Sequence, residues 1–246
     1  MRLDAPLDQI GSLRARIEID AARASSLEGA AQLLARELYG AFTPATVLSR
    51  VYATVRMDEL PSGNQTFVEG LAAARGGGRR LLDATPVLSL LGTHGREIAW
   101  RDRHKSRDHA GIPLLDKAFV ASIPMVARLL TQVGFDLSWL DRDRDSYARS
   151  LVGGFNGVFY VPDAATSVDE AGRLVIPAQD FVSQYGVKSV FGMGGAYVDG
   201  TVVAAILFTN VSIPRAPAEQ ISTVLGGFKS ATLPMVLERR FFEPRR

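Results

Sequence analysis

Residues 101–109 are the most polar stretch of this 246-residue chain, and they combine four arginine or lysine side chains with two of its three histidines. Arginine presents a planar fork of N–H groups that matches a carboxylate or a phosphate, so the segment predicts a binding site for an anion. Arg103, Arg107 and His109 are its candidate ligand-binding residues. Aspartates alternate with the basic residues, however, and this pattern is equally typical of a solvated, salt-bridged loop.

The histidines predict neither a metal site nor a catalytic residue. His104 and His109 lie five positions apart with no cysteine and no third histidine beside them, whereas a structural zinc site needs about four ligands. No Gly-x-Ser-x-Gly nucleophile motif occurs. We therefore expect a protein that is not an enzyme. The catalytic alternative is a small-molecule hydrolase or transferase that uses His94 or His109 as a base.

Aromatic and apolar residues in the last third of the chain are the other candidates for a binding site. Phe181 and Tyr185 fall on a short predicted helix, and Phe191 and Met193 fall on the strand after it. Such residues belong either to the core or to the wall of a pocket beneath a hairpin. Gly192, Gly194 and Gly195 lie within this predicted strand and do not open a helix, so they do not predict a phosphate-binding loop.

Composition excludes several classes of function. The chain has no cysteine, which removes disulfides, thiolate metal sites and thiol nucleophiles. A net charge of +2 is too small to predict nucleic-acid binding. The longest apolar run, Val202 to Phe208, is too short to cross a bilayer, and the N-terminus lacks the apolar core of a signal peptide. We expect a cytoplasmic protein that binds neither membrane nor nucleic acid.

The elements that must position these residues follow from periodicity. Heptad-like spacing predicts helix over the first forty residues, with a break near Ala24 and a capping box at Ser25-x-x-Glu28. Thr46 to Met57 alternates in polarity and predicts a half-solvated strand. Further helices are predicted over 65–75, 116–133 with a kink at Pro124, 179–185, and from Pro217 onward; further strands are predicted over 87–91, 97–100 and 157–161.

Two apolar segments, 187–197 and 201–211, predict a β-hairpin that turns at Asp199-Gly200 through a type I′ turn. The second segment is apolar on both faces, so it must lie in the middle of a sheet that is covered on both sides. The fold class that follows is α+β, with a central antiparallel sheet flanked by helices and an N-terminal helical extension.

This hairpin, followed by a proline-flanked turn and a long helix, resembles the C-terminal half of a GAF domain. The segment from Leu91 through His94, Trp100 and Arg103 to Leu114 resembles the GAF-like input modules of bacterial histidine kinases and serine-phosphatase regulators. The resemblance spans roughly residues 26–238. It implies a pocket between sheet and helices, with His94 and Trp100 among its ligand-binding residues. The chain lacks a cysteine for a covalently attached bilin and lacks the signature of cyclic-nucleotide-binding relatives.

The resemblance also implies a domain organisation and a role. We expect an N-terminal helix over 1–24 that could dimerise, a GAF-like sensory domain over 25–240 and a basic, frayed tail over 241–246. The expected function is that of a stand-alone sensory module that binds a small ligand or a partner protein and transmits through its terminal helices. The expected partners are a second copy of the chain and a histidine kinase or phosphatase. The non-enzymatic alternative is a dimeric structural adaptor with an empty pocket.

Overall fold

The computed structural model of this chain describes residues 7–76, 79–106, 109–142 and 155–243. The break predicted near Ala24 is confirmed, because the first two helices are α1 (Leu7–Ala21) and α2 (Leu27–Ala41). Ser26 is the N-cap of α2, and its hydroxyl accepts a hydrogen bond from the Gly29 amide at 3.0 Å. The capping box predicted at Ser25 is therefore displaced by one residue, which leaves the Glu28 carboxylate available for another partner.

The strands form one antiparallel six-stranded sheet in the order β3-β2-β1-β6-β5-β4. Their bounds are β1 (Thr46–Arg56), β2 (Pro86–Gly95), β3 (Gly111–Pro113), β4 (Asn156–Val161), β5 (Ser189–Ala196) and β6 (Val202–Thr209). Each edge is formed by a shorter element than the centre. The predicted α+β class with a central antiparallel sheet is confirmed.

The remaining helices of the described residues lie between the strands and after them. They are α3 (Ser62–Arg75), α4 (Lys117–Ala121), α5 (Pro124–Gln132), α6 (Gln179–Tyr185), α7 (Arg215–Ser222) and α8 (Val224–Leu237). The helix predicted over 116–133 is divided at Pro124, which is the first residue of α5. The strand predicted over 97–100 is wrong: Ile98–Arg101 is a 3-10 turn, as are Met57–Glu59, Arg103–Lys105 and Leu137–Asp141.

The central hairpin is confirmed. Every residue of β5 and β6 is buried, and β6 pairs with β1 on its other side. The turn differs from the predicted type I′, which requires positive φ at two residues. Here Gly200 has φ +87° whereas Asp199 does not share that conformation. The Asp199 carboxylate instead accepts hydrogen bonds from the amide and hydroxyl of Thr201, both at 2.9 Å.

Strand β1 corrects a second expectation, because it is not half-solvated. It lies third in the sheet, and its residues Thr46 to Val55 are buried except for the half-buried Arg50. Thr54, which the polarity pattern predicts to face solvent, is covered, and its hydroxyl accepts a hydrogen bond from the Val202 amide at 2.8 Å. The alternation predicts one common face for Val47, Val51, Ala53 and Val55, but Val47 packs in the cluster of the cleft face, next to an irregularity in the pairing of β1 with β6. It also does not show the helices that cover both faces.

The sheet divides the core into two clusters. The terminal-helix face carries alternate strand residues such as Val51, Phe191 and Leu207, which pack against α1, α2 and α8. The opposite face, called here the cleft face, carries their neighbours Tyr52, Val190 and Phe208, which pack with residues of α4, α5 and α6. None of the helices in the described part of the chain is long and apolar enough to span a membrane.

The two ends of the described chain pack onto the same domain. Helix α1 contributes Ile10, Leu13 and Ile17 to the core of the terminal-helix face. The frayed tail expected from residue 241 is wrong for residues 241–243, because Phe241 is only 2% exposed and the Phe241 carbonyl accepts a hydrogen bond from the Glu28 amide at 2.9 Å. The division at residues 24 and 240 therefore separates segments that share one hydrophobic core.

Candidate functional site

Three of the predicted site residues come together on the cleft face. The Trp100 ring lies 4.7 Å from the Tyr185 ring and 5.6 Å from the Phe181 ring, centroid to centroid, and Phe181 packs edge-on against Phe208 at 5.5 Å. Helix α6 positions Phe181 and Tyr185 on one side, because residues four apart share a helix face. This aromatic group is half-buried at the end of the sheet where β6 ends.

Phe191 and Met193 lie on the other side of the sheet. Both point from β5 into the terminal-helix face, where Phe191 is fully buried and Met193 is 1% exposed. Residues of opposite parity on a strand face opposite ways, so the sheet itself separates this pair from Phe181 and Tyr185. The four residues therefore do not line one common pocket. Met193 does line a cavity of about 630 Å³ between β4–β5 and α7–α8, where Lys229 donates to Asn156 Oδ1 at 3.1 Å.

Arg103, one of the predicted anion-binding residues, is paired with a carboxylate of the chain itself. The Arg103 guanidinium is buried and forms an ion pair with Glu28, and its carbon lies 5.2 Å from the centroid of the Phe242 ring. Glu28 also accepts a hydrogen bond from the Glu243 amide at 2.9 Å. Asp102 accepts hydrogen bonds from the His104 amide and ring within the same turn. The salt-bridged interpretation of this loop thus describes the residues from Asp102 to Lys105, whereas Arg101 donates to the backbone carbonyls of Gly95 and Arg96.

The other members of the predicted set lie apart from one another. Arg107 falls outside the described residues. His109 is exposed and has a left-handed backbone conformation, with φ +67°. His94 is half-buried at the end of β2, and its ring packs against Tyr39 of α2 at 5.0 Å. Burial lowers the pKa of His94, and the nearby charges of Arg101 and Arg36 lower it further, so the neutral imidazole is favoured.

A cleft that the sequence analysis did not predict lies at the opposite end of the cleft face. It has a volume of about 640 Å³ and opens where β1 ends and β2 begins. We call it the arginine cleft, because five arginines line it: Arg56, Arg79, Arg80, Arg142 and Arg239. Among the residues that the structure describes, Asp199 in the β5–β6 turn is the one acidic residue of this lining.

Two of these arginines already have carboxylate partners. Arg56 forms a two-pronged pair with Asp58, with N–O distances of 2.9 and 2.6 Å, and this pairing lowers the pKa of Asp58. Arg239 follows α8 and pairs with Glu59, and its Nη1 lies 3.8 Å from the Asp199 carboxylate. These pairs fix one wall of the cleft.

The other three arginines form no salt bridge within the described residues. Hydrogen bonds from Ser138 and, to a smaller extent, the nearby charge of Arg142 lower the pKa of the Asp136 carboxyl. Arg79 donates to the carbonyl oxygens of Leu140 at 2.9 Å and Asp141 at 2.5 Å, which joins the residue 79–86 loop to the turn after α5. Arg80 and Arg142 line the cleft without an ion-pair partner in the described ranges. The floor between them is apolar and consists mainly of Leu82, Leu114, Leu115, Trp139 and Leu140.

The lining of the cleft combines arginines with apolar side chains. No group of three metal-binding side chains occurs among the residues that the structure describes. Sequence patterns do not predict the cleft, since its arginines come from four separate segments and share no spacing. The adjacent pair Arg79-Arg80 was the one local signal, and a basic pair alone is more typical of a solvated loop.

Comparison with known proteins gives two solved structures of similar overall shape. The first is the phycoerythrobilin-bound GAF domain from a cyanobacterial phytochrome, with 14% identity and a TM-score of 0.48, covering 94% of this chain and 97% of that one. The second is the phycocyanobilin-bound GAF domain from a cyanobacterial phytochrome, with 14% identity and a TM-score of 0.47, covering 93% of this chain and 96% of that one. Both are GAF domains, the family that the sequence resembles. With 14% identity and TM-scores below 0.5, this likeness carries no argument about the family, the ligand or the role of the present chain.

No family model matches the chain, and no curated protein matches it in sequence. The description of the site therefore depends on the residues of this chain alone.

Proposed function

We propose that this chain is a GAF-like sensory domain, not an enzyme, that binds a small ligand in the arginine cleft and transmits its presence through the terminal helices. The observation that carries this proposal is the position of Arg239. This residue lines the cleft and is also the second residue after α8, the last helix of the described chain. The Arg239 side chain therefore lines the cleft, while its backbone continues directly from the last helix.

The segment after Arg239 extends this connection to the start of α2. The Leu27 amide donates to the Arg240 carbonyl and the Glu28 amide donates to the Phe241 carbonyl, both at 2.9 Å. The Glu243 carboxylate accepts from the hydroxyls of Ser25 and Ser26 at 2.8 and 2.6 Å. A ligand that changes the pairing of Arg239 thus acts on a segment bonded to α2. It needs only to bind one arrangement of that segment better than another.

The output of the domain is proposed to be self-association through α1 and α8, or contact with a histidine kinase or phosphatase partner in the cytoplasm. Ile19 on α1 and Leu237 on α8 are more than half exposed, at 56% and 54%, and apolar side chains of this kind suit a helix-to-helix contact. Trp100, Phe181 and Tyr185 remain candidates for a second contact with the ligand or partner. His94 and His109 line neither of the two cavities, so the hydrolase or transferase alternative is not favoured.

Native mass spectrometry of gently purified protein, followed by a thermal-shift screen of metabolites, tests ligand binding directly, because a ligand that binds only the folded state raises the melting temperature. Light scattering with and without each hit tests the output. We expect at least one hit, and we expect it to change either the mass of the assembly or hydrogen exchange in α8. If no compound raises the melting temperature, the sensory proposal fails. The adaptor alternative requires in addition that the unliganded protein be a dimer.

A further inference from the structure

We infer that the ligand of the arginine cleft is a small molecule with at least two anionic oxygen groups, carboxylate or phosphate, attached to an apolar or planar portion. This inference rests on the proposed function and gives the chemical class of the ligand. It concerns three arginines that no part of the sequence analysis singled out: Arg79, Arg80 and Arg142.

The first argument is the charge of the cleft. Five guanidinium groups and one carboxylate line the same cavity. Arginine keeps its charge at all physiological pH values, so these groups cannot relieve their mutual repulsion by losing protons. Positive charge collected in a concave, partly apolar site raises the local concentration of anions and favours their binding. Arg56 and Arg239 are paired with carboxylates, and Asp136 lies near enough to Arg142 to interact with its charge, so Arg79 and Arg80 are the guanidinium groups of the lining for which the described residues supply no carboxylate.

The second argument is the preorganisation of Arg79. Two of its nitrogen atoms are fixed by the carbonyl oxygens of Leu140 and Asp141. These bonds hold the side chain across the cleft without neutralising it, because a carbonyl carries no net charge. A charged donor that is already held in place loses less conformational entropy when an anion arrives. Arg80 and Arg142 are then available to bind a second anionic group in the two-pronged manner typical of arginine.

The third argument is the apolar surface beside these charges. Leu82 in the cleft is 47% exposed, and the half-buried Trp139 ring lies in the same lining. Leu114 and Leu115 of that lining are already buried, so the apolar surface that a ligand could cover is mainly that of Leu82 and Trp139. A bare inorganic anion would leave this surface in water, whereas an anion with an apolar portion would cover it. Size agrees with this, since about 640 Å³ falls in the range of cavities that hold small organic ligands.

Titration calorimetry of the full chain at low salt tests the inference with two dicarboxylate probes: succinate, which has no planar portion, and phthalate, whose two carboxylates are attached to a planar ring. We expect phthalate to bind more tightly than succinate, and equal affinity would contradict the apolar or planar portion of the inference. We expect both probes to bind and to raise the melting temperature above the value in sodium chloride of the same ionic strength. The variants Arg80→Gln and Arg142→Gln change exposed side chains that form no salt bridge within the described residues, so they should fold. Each should weaken probe binding by about tenfold, the typical effect of one charge-assisted hydrogen bond.

The matched control is Arg23→Gln, which removes the same charge from an exposed side chain at the end of α1, outside the cleft. It should leave probe binding unchanged. Equal weakening by Arg23→Gln would show that the probes respond to net charge alone and would overturn the inference, as would the absence of any effect beyond that of sodium chloride.

The design separates this inference from the proposed function. If a neutral or cationic metabolite binds and Arg80→Gln does not affect it, the anionic class is wrong while the sensory proposal stands. If the probes bind as expected but neither the assembly nor hydrogen exchange in α8 changes, the anionic class stands while the proposed transmission fails.

Discussion

The two faces of the sheet are built from the same six strands but are covered in different ways. On the terminal-helix face, α1, α2 and α8 are each 14 or 15 residues long and bury a continuous apolar cluster. On the cleft face, α4, α5 and α6 are 5, 9 and 7 residues long and leave the arginine cleft open at one end. Long helices can cover a sheet completely, whereas short helices joined by turns leave room for a ligand.

Unpaired polar groups do not follow this division. Arg50 and Thr93 lie opposite each other on β1 and β2, on the cleft face, and the Arg50 Nε and Thr93 Oγ1 atoms are buried with no hydrogen-bond partner among the described residues. The Ser49 hydroxyl is buried without a partner as well, and Ser49 pairs with Leu207 on the terminal-helix face. An unpaired buried donor or acceptor costs stability, so both faces carry such a cost, and the division of roles rests on how the helices cover each face.

The largest test of this comparison is a matched pair of truncations. Phe228→Ala removes a fully buried ring from the terminal-helix face and should lower the free energy of unfolding by about 3–5 kcal/mol. Leu82→Ala removes an exposed side chain from the arginine cleft and should change it by no more than about 0.5 kcal/mol. Urea denaturation of both variants measures the difference. Equal losses would contradict the division of roles between the faces.

The second-largest effect on the free energy of unfolding is expected from the buried ion pair between Glu28 and Arg103. Arg103→Met leaves the Glu28 carboxylate buried without its partner, and it should lower the free energy of unfolding by about 3 kcal/mol. Adding Glu28→Gln to that variant removes the unpaired charge and should restore most of the loss. As a control, Arg215→Met breaks an exposed pair with Glu219 and should cost at most about 0.5 kcal/mol. Failure of the double variant to recover would show that packing, not charge, dominates at Arg103.

Helix α2 lies so close to the sheet at Gly92 that adding a side chain there should lower the free energy of unfolding, by less than the loss of the buried ion pair does. A Cβ atom at Gly92 would lie 2.3 Å from the Ala31 carbonyl oxygen, so the helix and β2 must separate to admit one. Gly92→Ala should therefore cost about 2–3 kcal/mol, as overpacking does elsewhere. Gly70→Ala is the matched change in α3, where nothing lies within 4 Å, and it should stabilise the protein by about 0.5–1 kcal/mol. In thermal melts, Gly92→Ala should lower the melting temperature and Gly70→Ala should raise it. A lower melting temperature in both variants would contradict the packing described here.

The smallest expected effect is a pH dependence at His94, where α2 meets the end of β2. Its pKa in the folded protein is lower than the ordinary 6.5, so the unfolded chain takes up a proton there first as the pH falls. The contribution of His94 to stability is complete above about pH 6.5 and is lost as the pH falls from there to the folded pKa. Wild-type protein should therefore lose more stability between about pH 7.5 and about pH 5 than His94→Gln. Identical pH profiles in urea denaturation would contradict the assignment.

The sequence predicted those parts of the fold that local patterns determine. The β5–β6 hairpin was found because its apolar residues occur on both faces and Asp199-Gly200 marks its turn. The break between α1 and α2 and the start of α5 at Pro124 were found for similar local reasons. The position of β1 was misjudged because Thr54 has the polarity of an exposed residue, whereas its burial is decided by helices far away in the chain.

The candidate site was less predictable, because it is assembled from separate segments. Arg103 was predicted to hold an anion, and its charge is matched by Glu28, 75 positions away in the sequence. Neither residue carries a local signal of the other. The arginines of the cleft come together only when the loop after α3, the turn after α5 and the end of α8 have packed around β1. Residue type predicted the chemistry of anion binding correctly as a class, but folding decided which arginines remain unpaired.

The bonds between residues 25–28 and 240–243 have a mechanical consequence. We call this set of hydrogen bonds the clasp; it lies where the chain enters α2 and where it leaves α8. A tension applied to residues 7 and 243 would therefore act first on the clasp and on the contact of α1 with α8. The six-stranded sheet would stay unloaded until the clasp had opened. We expect pulling experiments to show an early, low-force extension that frees both ends, before the strands separate.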